Sequence, residues 1–299
     1  MPERDLLAER FDAHRGQLRA VAFRMLGSLG DAEDAVQETW IRLDRAGADG
    51  VENLAAWLTT VVGRICLDML RTRASRREVA GDEIAAALVD ESSADPQQEA
   101  VLVESVGRAL LVVLDRLGPA ERVAFVLHDM FSVPFDEIAV IVDRTPVAAK
   151  KLASRARLRV TGAGGTEPSS GHVDPTWHRR VVESFLAAAR GRDIAGLLAV
   201  LDPDVVRRAD PAALPPGVQL EIRGANAVVE ETLLLTRNAL SAAVAIIDGR
   251  PGLVVAPRGR LMLALTFVVK DGRIAEYSVI ADQQRLAGLE ITVPSGAIV

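Results

Sequence analysis

Two all-helical blocks followed by an α+β domain is the architecture the sequence predicts. Three observations carry it. Apolar residues recur at three- and four-residue spacing over 5–72 and again over 99–160, the period of helices with one buried face. Glycine, serine and proline crowd the stretch Thr161 to Gly171, the composition of a flexible linker. Beyond it, short apolar runs alternate with Asp-Gly turns, the pattern of antiparallel hairpins.

The bulk numbers set the class. A chain of 299 residues has room for about two or three domains. Apolar residues make up 49% and charged residues 25%, as in soluble globular proteins. Aromatics are only 4%, so the cores are built from Leu, Val, Ile and Ala. Cys66 is the lone cysteine, which excludes a disulfide framework and a cysteine-rich zinc site. The histidines, His14, His128, His172 and His178, are scattered, so neither a metal nor a cofactor is expected. The segment Met1 to Phe11 is charged and lacks a signal core. No uncharged apolar run approaches the length of a membrane helix. A cytoplasmic protein without membrane contact is the expectation.

Charge distribution says more than the net charge of −6. From Arg64 to Arg77 there are five arginines and one acid, Asp68. From Arg144 to Arg159 there are six basic residues and no acid. Between them, Asp82 to Glu104 holds seven acids and no basic residue. Two basic stripes around an acidic run read as two nucleic-acid contacts flanking something else.

In chain order, 5–75 forms the first helical domain. Its helix from Asp31 to Leu43 turns Val36, Trp40 and Leu43 inward and sets Asp34, Glu38 and Arg42 in a polar row. Periodicity alone reads that row as a solvated face. The stretch Asn53 to Arg77 begins apolar and ends in Arg71, Arg73, Arg76 and Arg77, more cations than a helix dipole needs and enough to grip phosphates. Residues 76–98 read as an acidic linker.

The second helical domain, 99–162, carries the best motif. Pro134 starts a helix whose apolar stripe is Ile138, Ala139 and Val142. Asp143-Arg144 forms a turn, Thr145 an N-cap, and Pro146 the first position of a second helix. There Ala148, Ala149, Leu152 and Ala156 share one side, while Lys150, Lys151, Ser154, Arg155 and Arg157 project elsewhere. Such a helix can sit in the major groove of DNA, its start reading bases and its flanking cations holding phosphates.

After a linker over 163–174, the domain 175–292 is expected to hold helices over 176–190 and 193–201. Strands follow over 217–223, 241–248, 252–256, 261–269 and 273–281. Asp248-Gly249 and Asp271-Gly272 supply the hairpin turns. The prediction is a curved antiparallel sheet with helices on one face.

These residues resemble the extracytoplasmic-function sigma factors. Asp31 to Leu43 is similar to the polymerase-binding helix of sigma region 2, and Asn53 to Arg77 to the adjoining segment that melts and reads the −10 element. Leu114 to Val160, with Leu117-Gly-Pro-Ala-Glu-Arg-Val-Ala-Phe-Val-Leu127, resembles region 4, which reads the −35 element. The segments Asp202-Pro-Asp-Val-Val206, Ile222-Arg-Gly224 and Val269-Lys-Asp-Gly-Arg-Ile274 resemble the cone-shaped SnoaL-like, NTF2-like domain. One subgroup of these sigma factors carries that domain after region 4 and uses it to control the sigma activity. The sequence departs from the pattern in two places. Asp143 stands where the turn usually has glycine. Asp210 to Gly217 and Ala281 to Gln284 replace the subgroup's glycine-rich and Asn-Pro-Asp segments.

The resemblance implies the following partners. Asp31, Asp34, Gln37, Glu38 and Trp40 face core RNA polymerase. Arg64, Asp68, Arg71, Arg73, Arg76 and Arg77 face the −10 element of promoter DNA. Thr145, Val147, Lys150, Lys151, Ser154, Arg155 and Arg157 face the −35 element. The acidic linker can thread a basic channel of the polymerase or serve as a solvated tether. The C-terminal domain is expected to contact the sigma domains within the chain and hold them compact. Two other readings stand beside this one. The helix–turn–helix can act in a stand-alone DNA-binding regulator, which leaves the first domain unexplained. The cone can bind or convert a small-molecule ligand, with Asp204, Asp210, His178 and Tyr277 as acid–base candidates. None of those four forms a recognisable spacing, so the chain is not expected to be an enzyme.

Overall fold

Helix ends in the computed structural model follow local capping chemistry. The structure describes residues 2–47, 52–87, 107–162, 175–214 and 217–294. Helix α1 spans Pro2–Leu26 and α2 spans Leu29–Ala46. Ser28 caps α2, its hydroxyl accepting the Asp31 N–H at 3.4 Å. Helix α3, Leu54–Ala87, begins at Asn53, whose side chain accepts the Ala56 N–H at 3.1 Å. Leu18, Val21, Phe23, Met25, Val36, Leu43, Leu58 and Cys66 are buried among these helices. Burial pushes the Cys66 thiol up to about 12, so it is a packing residue rather than a nucleophile. Trp40 is only half-buried and lies against Phe11, ring centroids 5.2 Å apart.

Helix α3 runs through Ala87, past the point where the sequence reading begins a linker. The segment Glu78 to Ala87 is rich in alanine and glutamate, strong helix formers, so the helix continues. The rest of the acidic run, from 88 on, and the linker over 163–174 lie outside the described residues.

Helix α4 spans Arg108–Asp115, α5 Pro119–Phe125, α6 Phe135–Val142 and α7 Pro146–Thr161, with a π-helical turn at Val126–Met130 after α5. The α6–α7 pair is the expected helix–turn–helix. Pro134 is the N-cap of α6, one place earlier than the first helical position. Ile138, Ala139 and Val142 are buried, and so is Ile141. Thr145 accepts the Ala148 N–H at 3.2 Å. The buried face of α7 is Ala149, Ala153, Ala156 and Val160, with Ala148 and Leu152 half-buried at its margin.

Asp143 ends α6 in the left-handed region, φ 55° and ψ 56°. An L-residue with a Cβ is strained there, and aspartate less than most. Asp143→Gly removes the Cβ and is expected to stabilise this unit by about 0.5–1 kcal/mol, read as a higher urea midpoint with an unchanged slope. An unchanged or lower midpoint contradicts this account of the turn.

The C-terminal fold is α+β, as expected. Helix α8 spans Pro175–Gly191 and α9 Ile194–Val200. The strands are β1 Leu201–Ala209, β2 Glu221–Arg223, β3 Ala242–Ile247, β4 Arg250–Val255, β5 Leu263–Lys270, β6 Arg273–Ile280 and β7 Ile291–Thr292. Helices α10, Ala225–Leu234, and α11, Thr236–Leu240, lie between β2 and β3, and α12, Gln283–Gly288, follows β6. The sheet order is β2-β1-β6-β5-β4-β3-β7. Only the β1–β6 pair is parallel.

Here the structure corrects the sequence reading. Only Glu221–Arg223 of the expected strand 217–223 pairs, and β1 fills Leu201–Ala209, where no strand is expected before residue 217. The pairing of β1 with β6 breaks register between Leu201 and Val206, which is how a proline is accommodated inside a sheet. The hairpin turns stand as read: Asp248-Gly249 and Asp271-Gly272 all have positive φ, the geometry of type I′ turns. Helix α8 lies on β3, β4 and β5, with Phe185 against Phe267 and Tyr277 at ring distances of 5.6 and 5.7 Å.

The chain divides into two compact units. One takes in α1–α3 and the chain from Leu114 to Arg159, with α5, α6 and most of α7; the other takes in Gly107–Val113, which holds most of α4, and Val160–Ala297.

Candidate nucleic-acid interface

Helix α7 presents an exposed surface that starts at its N-cap. Thr145, Val147, Lys150, Lys151, Ser154, Arg155 and Arg157 are all exposed. Val147 is 67% exposed, an apolar side chain with nothing of its own unit to cover it. Its small buried face, chiefly alanine, lets α7 lie close to α6 while the long side chains point outward.

Three of its arginines meet acids of the same unit. Arg155 Nε lies 3.3 Å from Glu121 Oε1, and Arg159 Nη1 2.9 Å from Glu121 Oε2. Arg157 donates to Asp129 Oδ1 through Nε at 2.7 Å and through Nη2 as well. Lys150 and Lys151 have no ion-pair partner among the described residues. The basic stripe therefore divides into lysines that face solvent and arginines held by Glu121 and Asp129.

The basic end of α3 divides in a similar way. Arg71 pairs with Asp68 at 3.6 Å on the exposed surface, and Arg76 is exposed. Arg77 is helical, but its side chain lies outside the described residues. Arg73 turns inward, donating to Leu26 O at 3.0 Å and pairing with Asp31. Residues read toward DNA and toward polymerase thus hold each other across the α1–α2 junction. On α2, Asp34 and Gln37 are exposed, Glu38 takes Arg42 at 2.9 Å, and Trp40 stays half-buried.

Arg64 carries a contact that the sequence did not disclose. Its Nη2 donates to Val140 O on α6 at 3.1 Å. Beside it, Gly63 faces Ile141, and a Cβ at Gly63 would lie 3.1 Å from Ile141 Cγ2. The guanidinium of Arg24 lies over the Phe131 ring, 5.1 Å from its centroid. The helices of the first domain and the helix–turn–helix therefore meet along a seam inside one compact unit.

The acid–base candidates of the C-terminal unit do not converge. Asp204 is exposed on β1. Asp210 pairs with Arg285 and accepts the N–H groups of Ala281 and Asp282, each at 3.1 Å. Burial, with Arg250 adding to it, pushes His178 below the usual histidine value. Of the four, Tyr277 alone lines the unit's internal cavity, beside Arg207 and Glu231, which sequence reasoning did not single out. No group of three His, Cys, Asp or Glu able to hold a metal occurs among the described residues, and no helix among them is long and apolar enough to cross a membrane.

Comparison with known proteins places these features. Sigma-70 region 2 matches residues 10–76 and Sigma-70 region 4 matches residues 107–160. The ECF RNA polymerase sigma factor SigJ of Mycobacterium tuberculosis is 37% identical over 93% of this chain and 92% of its own length. The probable ECF RNA polymerase sigma factor SigI of the same species is 33% identical over 99% of this chain and its whole length. The crystal structure of SigJ is 30% identical and covers 94% of this chain and 98% of that chain, with a TM-score of 0.44. Full-length identity at this level, joined to both sigma regions in order, makes the chain a member of the ECF RNA polymerase sigma factor family.

Proposed function

We propose that this protein brings core RNA polymerase to promoters, with α7 on the −35 element and the basic end of α3 on the −10 element. It does so without catalysing a reaction of its own. The observation that carries the reading is the exposed face of α7, which begins at a capped N-terminus and joins Val147 and Ser154 to free lysines. A helix start can read base edges while cations at its flanks bind phosphates. Asp34 and Gln37 on α2 are exposed and available to polymerase. A net charge of −6 suits a factor that binds DNA weakly by itself, since local rather than global positive charge then sets the contacts.

The C-terminal unit modulates this activity from within the chain. In support, Gly107–Val113 falls inside the region 4 match yet clusters with the C-terminal unit. In vitro transcription with core polymerase on the protein's own upstream promoter tests both parts. The full chain is expected to give promoter-specific transcripts, and a chain ending near Gly165 a several-fold different yield, higher if the unit restrains. DNA binding without polymerase, and no transcript from either chain, returns the stand-alone regulator.

A further inference from the structure

Helix α7 carries five cations, Lys150, Lys151, Arg155, Arg157 and Arg159, and no acid. Two carboxylates from neighbouring elements lie against it. Glu121 on α5 is 12% exposed, and Asp129 on the π-helical turn 14%. Between them they hold all three arginines. A DNA-facing helix that is matched by carboxylates of its own unit meets phosphates with only its lysines unengaged.

The two oxygens of Glu121 have different partners. Oε2 accepts from Arg159 Nη1 at 2.9 Å and from the Gly118 N–H at 3.4 Å. Oε1 lies 3.3 Å from Arg155 Nε. Departure of Arg155 therefore leaves the carboxylate hydrogen-bonded, and no buried charge is stranded without a partner. Arg155 itself is 62% exposed, so it can swing away without disturbing the packing of α7. Arbitrary DNA offers it a phosphate in exchange for a carboxylate, one anion for another.

We propose that Glu121 is a positioning residue for promoter recognition: it holds Arg155 off arbitrary DNA and releases it where a matched −35 element engages α7. This rests on the reading of α7 as the −35 helix. Glu121 lowers the affinity of the chain for DNA at large, a local counterpart of the negative net charge.

Binding of the full chain to a duplex without promoter sequence tests this in a Glu121→Gln variant. The amide oxygen can replace Oε2 and keep Arg159 and Gly118, since glutamine serves this cap as glutamate does. The amide nitrogen then stands in place of Oε1, a donor facing a donor, and Arg155 is released. Affinity is expected to rise about two- to fivefold, the contribution of an exposed ion pair. The log–log salt slope is expected to steepen by about 0.9, one further phosphate contact. Adding Arg155→Ala to Glu121→Gln is expected to remove both changes, which a merely structural role of Glu121 would not do. Three results overturn the proposal: affinity and slope unchanged in Glu121→Gln, a gain that persists without Arg155, or weaker binding together with a lowered urea midpoint. Transcription by the Arg155→Ala holoenzyme separates this from the reading beneath it. Lost transcription with no gain in Glu121→Gln removes the role of Glu121 alone; retained transcription removes both.

Discussion

Arg155→Ala is expected to lower promoter-specific transcription by the holoenzyme roughly 10- to 100-fold while leaving affinity for core polymerase unchanged. The magnitude is that of losing one side chain that reads a base edge, about 1–3 kcal/mol. Arg155 is the arginine of α7 best placed for that exchange. Its side chain is 62% exposed, and its single contact with Glu121 is 3.3 Å long. An exposed pair of this kind contributes about 0–1 kcal/mol, so DNA can displace it. Glu121 keeps Arg159 at 2.9 Å and the Gly118 N–H at 3.4 Å when Arg155 leaves. Arg157 differs: it holds Asp129, 14% exposed, through two N–H groups. Arg157→Ala should therefore act more on the stability of the unit than on the choice of promoter. Transcription from matched promoters and from −35 variants separates the roles. Loss confined to one base position marks a base reader, and uniform loss with a shallower salt dependence marks a phosphate contact. Retained transcription in the Arg155→Ala chain removes α7 from promoter reading.

What the sequence disclosed and what it hid follow the range of the interactions. Pro134, Asp143, Thr145 and Pro146 delimit α6 and α7 through contacts within four residues, so their types announced the motif. The Asp-Gly turns are legible for the same reason. Arg64 and Val140 are 76 positions apart, and no local pattern links an arginine to a distant carbonyl. The Arg73–Asp31 pair was hidden in the same way: each residue read as a surface charge, and folding turned them toward each other. Strand β1 was missed because its pairing is parallel to β6 and its proline signals a turn. Arg207 and Glu231 were not singled out, since they are 24 positions apart and no local pattern pairs them.

On the proposed reading, with α3 on the −10 element and α7 on the −35 element, the seam between α3 and α6 opens on a promoter. The −35 and −10 elements are roughly 25 base pairs apart, on the order of 85 Å at 3.4 Å per base pair. A compact body of about 150 residues has a radius of gyration of roughly 15 Å, too small to place α3 and α7 on both elements at once. Opening must separate Arg64 from Val140 and Gly63 from Ile141. Gly63→Glu brings this about without harming α3, because glutamate is the better helix former by about 1 kcal/mol. Its side chain enters the space where a Cβ alone would lie 3.1 Å from Ile141. The full chain is expected to gain about 5 Å in radius of gyration by small-angle scattering. It is also expected to bind a promoter fragment about tenfold more tightly, since a closed majority lowers apparent affinity by the fraction that is competent. Gly63→Ala, which needs only a few tenths of an ångström of give from Ile141, should fall between the two. If both variants keep the compact dimension and the same DNA affinity, the seam is not what holds the two sigma regions together. The restraint must then be sought in the C-terminal unit alone, where the truncation near Gly165 reads it directly.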